Sequence, residues 1–107
     1  MPAVTEGRPV HWVALDGRWP AVILTRAEVL PVRSRVTVAP IMPRVRGLSV
    51  EILVGRAQGL DREGVVNLDD VQTVPGTAVG AFIGMLTPVQ EHLLARAVRY
   101  AFDLEEV

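Results

Sequence analysis

Cysteine and lysine are both missing from this 107-residue chain. Without a thiol there is no disulfide and no thiolate chemistry. The two histidines, His11 and His92, stand far apart without a partner at metal-ligand spacing, so neither a metal nor any other cofactor is expected. Aromatic residues make up only 5% of the chain. Long apolar runs are also lacking, and nothing approaches the roughly 20 residues that cross a bilayer. The opening Met1-Pro2-Ala3-Val4-Thr5-Glu6 has no basic stretch leading into an apolar one, so no secretory signal is read; a cytoplasmic location without membrane contact is the expectation. Net charge is −1 with an isoelectric point near 6.1, so composition alone does not mark a nucleic-acid binder.

Half of the residues are apolar and 21% are charged, which suits a globular chain and argues against disorder. The length fits one domain over residues 1–107, with residues 1–7 loose. Charge is unevenly placed: every basic residue is arginine, and seven of the eleven lie between Arg8 and Arg46. Acids gather later, at Asp61, Glu63, Asp69, Asp70 and in the tail Asp103-Leu104-Glu105-Glu106. Such a gradient reads either as an ordinary solvated surface or as a basic groove facing a polyanion.

Ala21 to Leu24 is an unbroken, partly β-branched apolar run, which reads as a central strand buried on both faces. Pro20 cannot donate to a ladder, so this strand is expected to start at about residue 20, with Arg18 and Trp19 projecting from its mouth. Val10 to Leu15 is a strand apolar on both faces, and Asp16-Gly17 turns it into a hairpin with the central strand. Thr25-Arg26-Ala27-Glu28 fits a capping box for a short helix that Pro31 stops. Arg35 to Ala39 is strand again, with Pro40 marking its end or an edge position. Val50, Ile52 and Val54 alternate with polar or exposed positions. Val65 to Val74 is strand-like, but its apolar residues change parity, which places a bulge or bend near Asp69-Asp70. Ala81 to Met85 is a last short strand. Thr87-Pro88-Val89-Gln90 is the best helix start in the chain, followed by Leu93, Leu94, Ala97, Val98, Ala101 and Phe102 at helical spacing. The fold class is therefore mainly β: a small, strongly bent antiparallel sheet or half-open barrel closed by a C-terminal helix.

Several segments occur together in an order and spacing that resemble the MazF/PemK family of toxin ribonucleases. They are Arg8-Pro9-Val10-His11-Trp12, Trp19-Pro20-Ala21-Val22-Ile23-Leu24-Thr25-Arg26, Val36-Thr37-Val38-Ala39-Pro40-Ile41, Val45-Arg46-Gly47-Leu48 with Glu51, and Val65-Val66-Asn67-Leu68-Asp69 with Gln72-Thr73. Ile83-Gly84-Met85-Leu86 and Phe102-Asp103-Leu104 extend the resemblance over about residues 8 to 104. It implies an SH3-like, CcdB-like half-barrel and a homodimer that cuts single-stranded RNA at short sequences without a metal. It also implies a cognate, MazE-like antitoxin whose disordered tail folds into the RNA groove.

Metal-free RNA cleavage uses the ribose 2′-hydroxyl as nucleophile, so the protein has to stabilise a crowded phosphate and move protons. In the family these tasks fall to an arginine just before the strand-opening proline and to a threonine after the third strand. This sequence departs at both places: Trp19 precedes Pro20, with Arg18 displaced by one, and Met42 stands at the threonine position. A thioether neither donates nor takes a proton. One reading makes Arg18 the catalytic cation, assisted by Arg44 or Arg46. A second is a toxin fold that keeps binding and has lost its chemistry, and a third is a toxin similar to CcdB that binds DNA gyrase and cleaves nothing. Trp19 is either packing or a stacking platform for an RNA base. Asp69 and Asp70 either shape the bend or select bases by hydrogen bonding, and His11 fits a structural role better than that of a general base.

Overall fold

The computed structural model describes residues 8–25, 35–43 and 51–101. The short helix expected after Thr25, the Arg44–Arg46 loop, the first seven residues and Phe102 onward lie outside these segments.

The first two strands, β1 (Pro9–Ala14) and β2 (Arg18–Ile23), form the expected antiparallel hairpin. Its turn needs positive φ at successive residues, and Asp16 (φ 57°) and Gly17 (φ 111°) supply them. Aspartate and glycine are the residues that enter this region at least cost. β2 begins two residues before the expected start, because Arg18, Trp19 and Pro20 pair with β1 alone. Pairing with β3 (Arg35–Met42) begins only at Ala21. Backbone direction explains how Pro20 fits. Leu24 donates its N–H to Thr37 on β3 (2.8 Å), so by strand alternation the missing N–H of Pro20 also faces that side, beyond the end of the β2–β3 ladder.

Of the two positions the sequence allows for Pro40, it does not take the strand end, since β3 continues to Met42. Along one edge β3 pairs with β6 (Gln72–Pro75) through Val38, then with β5 (Gly64–Asn67) from Ile41. The backbone N–H and C=O of Thr37 face β2, the N–H donating to Thr25 Oγ1 (2.9 Å), so Pro40 presents its missing N–H to the opposite edge. It does so where one partner strand has ended and the next has not begun. Between β5 and β6 the chain makes a 3₁₀ turn at Leu68–Asp70, the bend that the parity change announced. Strand β4 (Glu51–Val54) pairs with β5, with Ile52 and Val54 buried and Leu53 exposed. Strand β7 (Val79–Met85) joins the far side of β1 and starts two residues earlier than read from sequence. The resulting order is β4-β5-β3-β2-β1-β7, with β6 also on β3.

Strand parity divides the core. Val10, Val22, Ala39, Ile41, Ile52 and Val66 pack on one side, beneath Leu94 and Ala97 of helix α1 (Pro88–Ala101). Val13, Ala21, Ile23, Val36, Val38 and Val74 pack on the other, where the sheet curls over itself. The architecture is therefore the curled antiparallel half-barrel with one C-terminal helix read from the sequence.

Helix α1 starts on the capping box: Gln90 N–H donates to Thr87 Oγ1 (3.2 Å), and Thr87 N–H donates to Gln90 Oε1 (2.8 Å). Gln90 does more than cap. Its amide pairs with that of Gln58, which is 1% exposed, and it also donates to Leu53 O (3.0 Å). Gln58 closes a 3₁₀ turn (Arg56–Gln58) by accepting from Gly55 N–H (2.9 Å). One amide pair thus joins the helix start, β4 and the segment leading into β5. Gly84 lets that segment lie flush on β7, since a Cβ there would sit 1.9 Å from Gln58 O. Gln90→Ala removes the cap and strands a buried amide, and is expected to lower the unfolding free energy by about 2–3 kcal/mol. The exposed Arg96→Ala should change it by less than about 0.5 kcal/mol. Urea unfolding followed by circular dichroism measures both, and equal midpoints would refute the role given to Gln90.

Candidate functional site

The β1–β2 register decides which side chains meet. Arg18 stands opposite Ala14, and Pro20 stands opposite Trp12. Side chains at directly opposed positions share a face, so Arg18, Trp12 and Pro20 are together and Trp19 is turned away. The Arg18 guanidinium lies over the Trp12 ring, 4.3 Å from its centroid. At an exposed site such a cation–π contact contributes about 0.5–1 kcal/mol. That is small as stability, but it is enough to bias a flexible side chain toward one position. Among the described residues, Arg18 has no carboxylate partner, so its charge remains available to an anion.

Trp12 also walls a cavity of about 420 Å³, together with Pro20, Ile41, Met42, Leu60 and Ile83. Its rim carries Asp61, Arg62 and Glu63, and the same three residues border a second cavity of about 450 Å³ beside Gln58 and Gln90. β7 shapes the first cavity. Between His11↔Phe82 and Val13↔Val79, two residues of β7, Gly80 and Ala81, face the single residue Trp12. A second extra residue, Ile83, falls between the pairings of Phe82 and Gly84, and it lines the cavity. Bulges of this kind bend a strand and re-aim its neighbours. Gly80 permits the approach, because a Cβ there would meet Trp12 O at 3.2 Å. On the opposite wall, Gly64 lies against β3, where a Cβ would be 2.7 Å from Met42 O.

The residues singled out in the sequence fall in different places. Met42 is half-buried at the end of β3, paired with Val65, and lines the cavity. Arg18 reaches that wall through Trp12. Trp19 borders the cavity but packs against the cluster of Val13, Ala21 and Ile23. Asp69 and Asp70 are exposed on the 3₁₀ turn after β5 and line neither cavity; Asp69 N–H is capped by Asn67 Oδ1 (2.9 Å). Arg44 and Arg46 lie outside the described residues. His11 is held structurally: its Nδ1 is 3.0 Å from Gly80 O, and a carbonyl only accepts, so Nδ1 carries the proton. The ring meets Phe82 edge-on at 5.5 Å. No group of three or more candidate ligands among the described residues could hold a metal.

Sequence reasoning missed Trp12, Gln58 and the Asp61–Glu63 rim. Trp12 was read as one of several apolar strand residues, and its companion became visible only with the hairpin register. The small residues Gly80 and Gly84 in an otherwise apolar strand were the available sign that β7 is bulged.

A curled half-barrel places an arginine with no carboxylate partner among the described residues beside an aromatic-walled cavity, an arrangement able to hold an anion joined to a flat apolar group. The family model of PemK-like, MazF-like toxins of type II toxin–antitoxin systems matches residues 10–102. The chain is 46% identical over 100 residues to endoribonuclease MazF3 of Mycobacterium tuberculosis, covering 94% of this chain and 97% of that one. It superposes on the structure of Mycobacterium tuberculosis toxin MazF-mt6 with a TM-score of 0.90 at 45% identity, covering 92% of this chain and all of the other. A mycobacterial endoribonuclease solved with its cognate antitoxin shares the fold at 21% identity, with a TM-score of 0.82 over 92% of this chain and 95% of that one. The chain belongs to the PemK-like, MazF-like family of type II toxins, and its relatives by sequence are endoribonucleases.

The packing of Trp19 yields a direct test. Trp19→Ala removes a half-buried indole from the second cluster and is expected to lower the unfolding free energy by about 2 kcal/mol. A residue serving only as a surface platform would change it by no more than about 0.5 kcal/mol. Urea denaturation separates the two outcomes.

Proposed function

We propose that this toxin cuts single-stranded RNA at a short sequence, without a metal, with Arg18 as the cation that meets the scissile phosphate. The observation that carries this reading is the placement of Arg18: unpaired among the described residues, held over Trp12, and adjoining the cavity that Met42 lines. A guanidinium is permanently charged and matches two phosphate oxygens at once, so it can stabilise the charge that builds as the 2′-hydroxyl attacks. Met42 supplies no proton transfer. The chemistry therefore rests on charge stabilisation and on positioning the internal nucleophile, and turnover should be slower than in a site that keeps the threonine hydroxyl. Arg44 and Arg46 supply further phosphate contacts, and Asp69 and Asp70 contact bases farther along the strand.

The same reading includes a cytoplasmic homodimer and an antitoxin with an acidic or amphipathic tail that competes with RNA for the arginines. Exposed apolar side chains support pairing of copies: Phe82 on strand β7 is 58% exposed and Met85 36%, and a long edge strand with such residues is ordinarily covered. A single species of 11.6 kDa in sedimentation at micromolar concentration would contradict the dimer.

The deciding experiment incubates the purified protein with unstructured RNA in EDTA and maps the new ends. Cuts at one short motif that leave 2′,3′-cyclic or 3′-phosphate ends support the reading. Loss of the charged contact in Arg18→Ala, worth about 1.5–3 kcal/mol, should slow cleavage by about tenfold to a hundredfold. Met42→Thr should raise the rate by restoring a hydroxyl. No cleavage by wild type, together with cleavage by the Trp19→Arg, Met42→Thr variant, would instead identify a binding protein that has lost catalysis.

A further inference from the structure

We propose that Trp12 and Arg18 act as one nucleotide clamp, in which a base of the RNA enters the cavity against the Trp12 ring while the phosphate beside that base meets the Arg18 guanidinium. The inference rests on the ribonuclease reading and deepens it by assigning a residue that the sequence did not single out. Trp12 is the one side chain that belongs to both halves of the site: it carries Arg18 at 4.3 Å and it walls the cavity, whereas Arg18 itself is not among the lining residues. Below the charged rim the remaining wall, which includes Trp19, Pro20, Ile41, Met42, Leu60 and Ile83, is apolar and suits the face of a base better than a phosphate. Charge favours the same division. Asp61, Arg62 and Glu63 on the rim carry one net negative charge and offer both acceptors and donors to the edge of a base, while Arg18 stands outside the lining with no acid beside it among the described residues.

The displaced arginine gives this arrangement its logic. At position 19 a side chain packs on the Val13 and Ala21 cluster while bordering the cavity, as Trp19 does. At position 18 it shares a face with Trp12, and the ring offers a surface on which a guanidinium can rest without losing its hydrogen-bonding edge. Trp12 thus orients the cation and meets the substrate. The double bulge in β7 keeps that wall in place, with Gly80 leaving room beside the Trp12 backbone.

The test uses a single-stranded RNA carrying 2′-O-methyl groups, which binds without being cut, and follows its fluorescence anisotropy with wild type, Trp12→Leu, Arg18→Ala and the double variant. Trp12→Leu is expected to weaken binding by about fivefold or more, and its effect should shrink in the Arg18→Ala background, because part of it acts through Arg18. Trp12→Phe should recover most of the loss. Circular dichroism confirms that each variant is folded. A measurement on the wild type keeps the test open if Trp12→Leu does not fold: 2-aminopurine is placed at each position of the RNA in turn, and one position should lose fluorescence on binding. Wild-type affinity in Trp12→Leu, full additivity with Arg18→Ala, or no quenched position would overturn the clamp while leaving the ribonuclease reading intact wherever wild type still cuts RNA. Failure of wild type both to bind and to cut single-stranded RNA would overturn the two together.

Discussion

The turn at Leu15–Gly17 sets the register of the β1–β2 hairpin, and most of what is particular to this protein depends on that register. With a side-chain period of two, a slip of one residue would exchange Arg18 and Trp19 between the faces of the sheet. As built, Trp19 falls beside Val13 and contributes to packing, while Arg18 falls beside Trp12 and has no carboxylate partner among the described residues. Turn chemistry holds the choice: Asp16 and Gly17 both occupy positive φ, and Leu15 N–H closes onto Gly17 O at 2.7 Å. A local backbone preference thus fixes where a charge stands.

The rest of the sheet builds the surroundings of that charge. β3 passes from β6 to β5 at Pro40, which carries Met42 beyond the central ladder and onto the cavity wall. The segment from Gly55 to Gly64 closes the other side, tied down by the Gln58–Gln90 amide pair and seated on Gly84. Helix α1, whose start depends on the same Gln90, therefore supports a wall of the site as well as the core. Met42 puts a polarizable thioether, which transfers no proton, on the same cavity wall as Trp12.

Local chemistry in the sequence was legible, and pairing between distant segments was not. The hairpin, the alternation in β4, the bend at Leu68–Asp70 and the Thr87–Gln90 capping box each follow from residues a few positions apart. The fate of Pro40 required knowing that two different strands share the edge of β3. The sequence places residues 18 and 19 ahead of β2, because a proline commonly opens a strand, whereas in the fold its missing N–H faces past the end of the β3 ladder. At the site, the sequence singles out Arg18 and Met42 but not what stands beside them. The pairing of Arg18 with Trp12 depends on a diagonal cross-strand contact, and the cavity depends on bulges in β7 some 70 positions later, as the Val13↔Val79 and His11↔Phe82 pairs show.

The claim on which this account turns is that Arg18, in place of an arginine adjoining the proline, receives the RNA phosphate. Nitrogen-15 NMR of the arginine side chains tests it directly, with the uncuttable RNA titrated into the folded protein. The account predicts that the Arg18 Nε–H resonance moves to saturation along with RNA binding and returns as salt is added, while that of the exposed helix residue Arg96 stays in place. An Arg18 signal unmoved by RNA that demonstrably binds would contradict it.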